Sequence, residues 1–384
     1  MKKHMNMVLD LFATPNPTYA ATGSTSNGYA INAYGNTTAT SGNDFTPEQA
    51  KFYHRVFLKN YTGKKVHGQF GEKLTFPKHN GDIVNIRAMS PYSTRTTPLT
   101  EGVTPTPNTM NFYYVEVPVY QYGAFTPITD YAGFASRDDV LIHDSEELSS
   151  QAGRTIEEID AAALNAGQSV LYAPSVASNG TVTEVAGRTG LTPLCKLTVD
   201  AIYRALNYLE MQNAEPIGDS FVAIIHPNVK YDIMRSQGFI DVVKYAAVER
   251  IFRGEIGMIG NVRFVVSTFA KVFAGAGAYK SGSSGPQYDV YSTLVLGKDA
   301  YKTVEIEGEG MKTIIKPLGS GGTADPLDQR ATQGWKCTHG IGITGQTCMV
   351  RIESSTGSGI STALNNQALI ADAAAGNAAT NVWS

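Results

Sequence analysis

The sequence predicts an α+β fold, and three observations carry that prediction. Residues 136–167 keep apolar side chains at helical spacing over one long run. Between about 195 and 270, strand patterns alternate with helical ones, the mark of a compact α/β subdomain. From 288 to 353 strand patterns follow one another with no helix between them, so those strands must pair with one another and cover an element made earlier. Composition agrees. Of 384 residues 42% are apolar, enough for a sizeable interior, while 17% are charged against a usual share of about 25%. The 38 glycines and 20 tyrosines, with abundant Thr, Asn and Ser, point to strands and turns. Length alone allows two or three cores at roughly 150 residues each.

In chain order, residues 1 to about 45 have too few apolar groups to fold alone. They read as an arm in which Tyr19, Tyr29, Tyr34 and Phe45 are docking aromatics, or as an unordered tail. Thr46-Pro47-Glu48-Gln49 opens a helix with Pro at its first position and a capping Gln, and Phe52, Val56 and Phe57 form its apolar face up to Gly63. Two extended runs follow, Ile83 to Met89 and Phe112 to Tyr122, which together make a long hairpin. Its centre, Thr96 to Pro107, holds too many prolines for an interior strand and reads as an extended tip. Each arm of about ten residues reaches roughly 33 Å, and an isolated two-stranded ribbon is marginally stable at best. The hairpin must therefore lie on its own domain or across another subunit.

The segment Ala124 to Tyr131 leads into the long helix, where Ser136 and Asp139 have capping-box spacing and Gly167 is a natural stop. Leu141, Leu148, Ala152, Ile156, Ile159 and Ala163 form its apolar stripe, with Asp138, Glu146, Glu147, Arg154, Glu157 and Asp160 on the polar side. Such a helix is about 45 Å long. Gly153 and the Asp144-Ser145 pair leave open a break near His143. Val170 to Tyr172 with Thr181 to Thr183 is expected to form a short hairpin. Leu197 to Gln212 is a second amphipathic helix with Val199, Ile202, Leu206 and Leu209 inward. Phe221 to Ile225 is a buried strand ended by His226-Pro227, Asn228 begins a helix bearing Val229 and Ile233, and Val262 to Val266 is a further buried strand. Gly275 to Pro286 is a surface loop. The late strands are Tyr288 to Leu296, Thr303 to Ile306, Thr313 to Lys316, Gly334 to Ile343 and Thr347 to Glu353. A loosely held tail follows from Ser354, with Trp383 its one large anchor.

Several function classes are excluded on this reading. A net charge of −3, with Lys2-Lys3 and Lys64-Lys65 the only adjacent basic pairs, does not suit tight binding to phosphates. Cys195, Cys337 and Cys348 have no metal spacing and fit a reducing cytoplasm. No apolar run is long enough to span a membrane, and Met1 to Asp10 lacks the core of a signal peptide. Gly340-Ile341-Gly342-Ile343-Thr344-Gly345 has dinucleotide-loop spacing, but a strand pattern follows it where a helix is required. Cys337 and His339 share one strand face, yet two ligands do not make a structural site. His226 beside Pro227 reads as a strand-end residue, and Asp138-Asp139 and Glu146-Glu147 as acids in a helix's first turns. No catalytic residue, cofactor or metal is expected.

Four stretches carry a resemblance to a known family: Thr97-Pro98-Leu99-Thr100-Glu101-Gly102-Val103; Gln121-Tyr122-Gly123-Ala124-Phe125-Thr126-Pro127-Ile128-Thr129-Asp130; Ile225-His226-Pro227-Asn228; and Asp325-Pro326-Leu327-Asp328-Gln329-Arg330 continuing through Gly334-Trp335-Lys336. As an ordered set over about 95 to 350, they resemble the major capsid proteins of tailed bacteriophages with the HK97-like fold, in the branch typified by coliphage N4. The resemblance implies an N-terminal arm and short helix over 1–63 and an extended loop (E-loop) over 64–124. It also implies a peripheral domain with its spine helix over 125–194 and 301–353, an axial domain over 195–300 and a tail over 354–384. It further implies a non-enzymatic subunit that forms hexamers and pentamers of an icosahedral shell around double-stranded DNA, confined without specific binding. That places the chain in the virion, assembled in the host cytoplasm, with decoration, scaffolding and portal proteins as further partners. Pro98, Leu99, Glu101, Val103 and Pro105 would then be inter-subunit contacts. Tyr19, Tyr29, Tyr34 and Phe45 would dock the arm, and Leu141, Leu148, Ile156 and Ile159 would pack the spine helix. No motif assigns a cross-linking role to Lys64, Lys65 or Lys73. The alternative is a decoration or receptor- and carbohydrate-binding β-rich module of the virion, which the abundance of Tyr and Thr suits.

Overall fold

The computed structural model describes residues 65–89, 92–135, 140–177, 179–236, 239, 258–280, 282, 284–321 and 325–357. The arm aromatics, the 46–63 helix, the Ser136–Asp139 capping box and Trp383 lie outside them. Two compact units divide the chain: Ala124–Leu148 with Thr313–Trp335, and the described parts of Asn60–Gly123, Ser149–Lys312 and Lys336–Ser384.

The larger unit is built on a seven-stranded sheet. Its strands are β5 (Val170–Tyr172), β8 (Phe221–Ile225), β9 (Met258–Ile259), β10 (Val262–Val266), β11 (Val272–Phe273), β12 (Val290–Leu296) and β16 (Met349–Ser354). The order is β5-β16-β12-β8-β10-β9, with β11 beside β12. β8 and β10 run parallel from Phe221↔Val262 to Ile225↔Val266, whereas β12 is antiparallel to both β8 and β16. All residues of β8, β12 and β16 are buried because both faces are covered, and β8 accordingly reads as a continuous apolar run.

On one face, Ile202 and Leu209 of helix α3 (Val199–Met211) and Val229 and Ile233 of helix α4 (Pro227–Arg235) belong to one core with Phe221, Ala223, Ile225, Val295 and Ile352. On the other, Leu164 and Tyr301 close over Val222, Ile224, Leu294, Leu296 and Met349. Thr198 caps α3 by accepting from the Ala201 amide at 3.3 Å, and His226 caps α4, with Pro227 at its first position.

Three expectations change here. Of the late strands, 290–296 and 349–354 pair with each other but part from the rest and enter this sheet, where the alternation of Val350 and Ile352 against Met349 and Arg351 serves two covered faces. Val170–Tyr172 pairs parallel with β16, and the short hairpin is instead β6 (Ser175–Val176) with β7 (Val182–Thr183). Val262–Val266 is only partly buried, because beyond it lies the two-residue strand β9.

The same unit holds β1 (Glu72–Phe76), β13 (Tyr301–Ile306) and the distal part of β15 (Arg330–Ile343). β1 is parallel to β13, with Glu72↔Lys302 supported by a 2.5 Å ion pair, and β13 is antiparallel to β15 from Tyr301↔Ile343 to Val304↔Gly340. The glycine series of β15 has a packing cause. A Cβ on Gly340 would stand 2.7 Å from Pro118 O, and one on Gly342 would overlap Val117, so these positions let a second chain segment cross at backbone distance.

Helix α2 (Val140–Leu164) passes His143 without a break and ends before Gly167, where Asn165 turns back to donate to Ala161 O at 2.7 Å. Arg351 donates to the buried carbonyls of Asn165 and Gly167, a cation at a helix C-terminus. Leu148, Ala152, Ile156 and Leu164 are buried, while Leu141, Ile159 and Ala163 are half-buried. The expected polar face is wrong in two places: Glu157 and Asp160 are fully buried.

In the smaller unit, β4 (Tyr120–Thr129) pairs with β15, and the Asp130 amide donates to Gln329 O at 3.0 Å. β14 (Lys312–Lys316) lies on the other side of β15, and the short helix α1 (Asp130–Ala135) follows β4. Ile128, Leu148, Ala331 and Trp335 are buried in this unit.

Candidate functional site

The expected hairpin forms from β2 (Ile83–Met89) and β3 (Phe112–Pro118), antiparallel from Ile83↔Pro118 to Met89↔Phe112. It ends four residues earlier than expected, at Pro118, which has no amide hydrogen for the ladder. The Val119 amide closes it on Asp82 O at 2.8 Å, and the chain then leaves as β4. At the base, Val84, Val117 and Val119 pack on Val304 of β13. Away from the base this support is lost. Met89, Phe112, Tyr113 and Tyr114 are exposed, so residues of both alternations of β3 stand free, and Arg87 lies 4.6 Å over the Phe112 ring.

Beyond the strands, Arg95 donates to Asn108 Oδ1 at 3.1 Å and Thr106 Oγ1 at 3.3 Å, tying the two sides of the tip together. The tip turns at Thr100-Glu101-Gly102-Val103, where the Val103 amide donates to Thr100 O at 3.2 Å and Gly102 takes φ +76° at the position a type II turn gives to glycine. Pro98, Leu99, Glu101, Val103 and Pro105 are all exposed, Leu99 at 78% and Val103 at 62%.

A buried polar centre fixes the segment from which β1 and the hairpin emerge. Glu157 of α2 accepts from the Val66 amide at 2.8 Å, the His67 amide at 3.0 Å, His67 Nδ1 at 2.6 Å and Ser267 Oγ at 3.2 Å. Burial alone would raise this carboxyl. The His67 hydrogen bond and charge and the two backbone amides outweigh it and hold Glu157 below the usual carboxylate range. An ionised carboxylate only accepts, so His67 Nδ1 carries the hydrogen.

One turn along the helix, Asp160 Oδ1 lies 2.5 Å from His339 Nε2 of β15. Tyr301 donates to His67 O and accepts from the Phe70 amide at 3.2 Å, and burial raises its hydroxyl well above the usual range. Cys337 is buried too, its thiol pushed up to about 11 by burial, which removes it as a thiolate at neutral pH.

His339 is thus a satisfied strand residue, as expected beside Cys337. The Glu157 and Asp160 anchors were missed, although Ser149, Ala152, Ile156, Asp160 and Leu164 share one helical row and set Asp160 inside the stripe. A second unexpected centre joins Arg188 to Glu353 in a two-pronged ion pair at 2.6 and 2.7 Å, with Arg351 Nε 2.9 Å from the same carboxylate and Arg188 stacked 3.7 Å over Phe273. Among the described residues no three His, Cys, Asp or Glu side chains gather as a metal site, and no helix is long and apolar enough to cross a membrane. The arrangement therefore consists of an anchored root, a ribbon and an exposed tip.

The phage capsid protein family matches residues 113–352, more than half of the chain. The chain matches no curated protein sequence. Among solved structures, the capsid of cyanophage P-SCSP1u is similar with a TM-score of 0.57 at 14% identity, covering 76% of this chain and 88% of that one. The capsid of Ralstonia phage GP4 gives 0.56 at 15%, again over 76% and 88%, and that of cyanophage Pam1 gives 0.56 at 12% over 87% of this chain and 100% of that one. At these identities the likeness establishes the fold, which is the HK97-like capsid fold. Taken with the family match over residues 113–352, it makes the chain a member of the phage capsid protein family, a structural and non-enzymatic subunit of the virion shell.

Proposed function

We propose that this subunit is the repeating unit of an icosahedral shell, assembling as hexamers and pentamers in the host cytoplasm around double-stranded DNA. The hairpin carries the reading: a ribbon whose outer half exposes Phe112, Tyr113 and Tyr114, ending in a tip closed by its own turn, is understandable if its partner is another copy. On this reading Pro98, Leu99, Glu101, Val103 and Pro105 contact a neighbouring subunit, Tyr19, Tyr29, Tyr34 and Phe45 dock the arm, and Leu141, Leu148, Ile156 and Ile159 pack the spine. The peripheral domain takes 125–194 and 301–353 and the axial domain 195–300. Many modest contacts then act together through multivalency. The net charge of −3 suits a wall that encloses DNA without gripping it, and decoration, scaffolding and portal proteins would complete the particle. The four motif stretches support placement in the N4-like branch.

Deletion of Thr96–Pro107 tests the reading. The truncated subunit should keep the thermal unfolding of the full chain, yet form no capsomers or closed particles in negative-stain microscopy. Particles of normal size from the deletion would defeat it. Copy number separates it from a decoration or receptor-binding role: hundreds of chains per particle mark a shell subunit, a few dozen a spike.

A further inference from the structure

Asn-Gly occurs three times in the sequence, at Asn27-Gly28, Asn80-Gly81 and Asn179-Gly180, and the first lies outside the described residues. This dipeptide is the one most prone to cyclise. Glycine has no side chain to hinder its amide nitrogen from attacking the preceding side-chain carbonyl, and it reaches conformations closed to other residues. The fold treats the two described copies differently.

Asn179-Gly180 sits in the turn between β6 and β7 and is held on both reacting groups. The Gly180 amide donates to Ala177 O at 2.9 Å, and Asn179 Oδ1 accepts from the Thr181 amide at 3.0 Å. The nucleophile is occupied and the electrophile is turned toward another partner. A third bond, from the Ala177 amide to Thr181 O at 3.0 Å, keeps the turn closed.

Asn80-Gly81 lies in the link between β1 and β2, at the root of the projecting hairpin. Residues 77–82 are all exposed. Gly81 has φ +94° and nothing within 4 Å of where a Cβ would stand, and His79 before it also takes a left-handed φ of 68°. Neither the Gly81 amide nor the Asn80 side chain has a hydrogen-bond partner among the described residues.

We propose that Asn80 is a site of spontaneous covalent modification, converting to aspartate and isoaspartate, while Asn179 is protected by its turn. The Gly81 nitrogen loses its proton to solvent base and attacks Asn80 Cγ. The new C–N bond closes a succinimide as the side-chain nitrogen leaves as ammonia, taking up a proton. Water then opens the ring at either carbonyl, giving aspartate or isoaspartate, so no oxidant or enzyme is needed. Each event adds one negative charge beside Asp82, two residues from the Lys78–Glu309 ion pair at 3.1 Å. The isoaspartate product also lengthens the backbone path between the anchored strand β1 and the hairpin. A shell would thus accumulate a slow chemical record of its age at the hairpin root.

The test is peptide mass spectrometry of purified full-length protein held at 37 °C and mildly alkaline pH, folded and in denaturant. In the folded chain the Asn80 peptide should show the mass gain of replacing NH2 by OH, split into aspartate and isoaspartate forms, severalfold faster than the Asn179 peptide. In denaturant the two rates should converge. G81A should slow conversion at position 80 severalfold without changing position 179. Equal folded-state rates, faster conversion at Asn179, or an intact Asn80 in the folded chain while the denatured chain converts would each overturn the proposal.

Discussion

Strands β8 and β3 have similar strand-forming composition and opposite fates. Every residue of β8 is buried between two helices on one face and Leu164 and Tyr301 on the other, whereas β3 buries only Val117. The sheet is buried on both faces, whereas the outer ribbon leaves its apolar and aromatic side chains exposed. On the function proposed above, folding and assembly contacts would be separated along the chain, with the root centred on Glu157 joining them.

Substitutions at four places can break or sharpen that division. At the root, Glu157→Ala should have the largest effect on the subunit. It leaves the buried His67 and two amides without their acceptor, at a cost of about 3–5 kcal/mol, read as a lower midpoint of chemical denaturation. Glu157→Gln, which keeps an acceptor, should cost less; equal losses would mean that the charge and not the hydrogen bonding holds the root. In the sheet, Ile225→Ala should cost about 2–5 kcal/mol by transfer and cavity terms, with the remaining folded fraction still competent to assemble.

A smaller effect is expected at the α4 cap, where His226 Nδ1 accepts from the Asn228 amide at 3.2 Å. His226→Ala should cost about 1 kcal/mol. Burial depresses the His226 imidazole from its usual value near 6.5 to about 4, so the folded state binds the proton less well than the unfolded one. Its contribution is fully present above about pH 6.5 and is lost as pH falls toward about 4. Thermal scans of wild type and His226→Ser across that window should show a loss specific to wild type. At the ribbon tip, Leu99→Ser should move subunit stability by no more than about 0.5 kcal/mol while reducing particle yield. A destabilised subunit would mean that the tip packs within its own chain.

Local signals identified the elements that depend on local pattern. The two arms of the hairpin, α3 with its inward Ile202, Leu206 and Leu209, and the β8–α4–β10 succession followed from periodicity, caps and prolines. What escaped was set by distant partners. Residues 349–354 look like the other late strands, and only the pairing with β5 and β12 decides their sheet. Glu157 and Asp160 look like solvated acids until His67, Ser267 and His339 arrive from far along the chain. The glycines of β15 resemble a phosphate loop, whereas what they accommodate is the crossing at Val117 and Pro118. At the candidate site, exposure of the tip was legible from its prolines, but the anchoring of its root was not.

The position of β16 has a consequence for synthesis. It lies inside the large sheet, between β5 and β12, yet it is the last described strand to leave the ribosome. β1 likewise waits for β13, which is separated from it by more than half the chain. Pairings of such high contact order form slowly, and here β1 cannot pair fully until Ile306 has been made, nor β5 and β12 with β16 until Ser354 has. A chain terminated earlier lacks an interior strand and cannot close either face of its main core. The topology thus leaves the main sheet incomplete until its last described strand has been made.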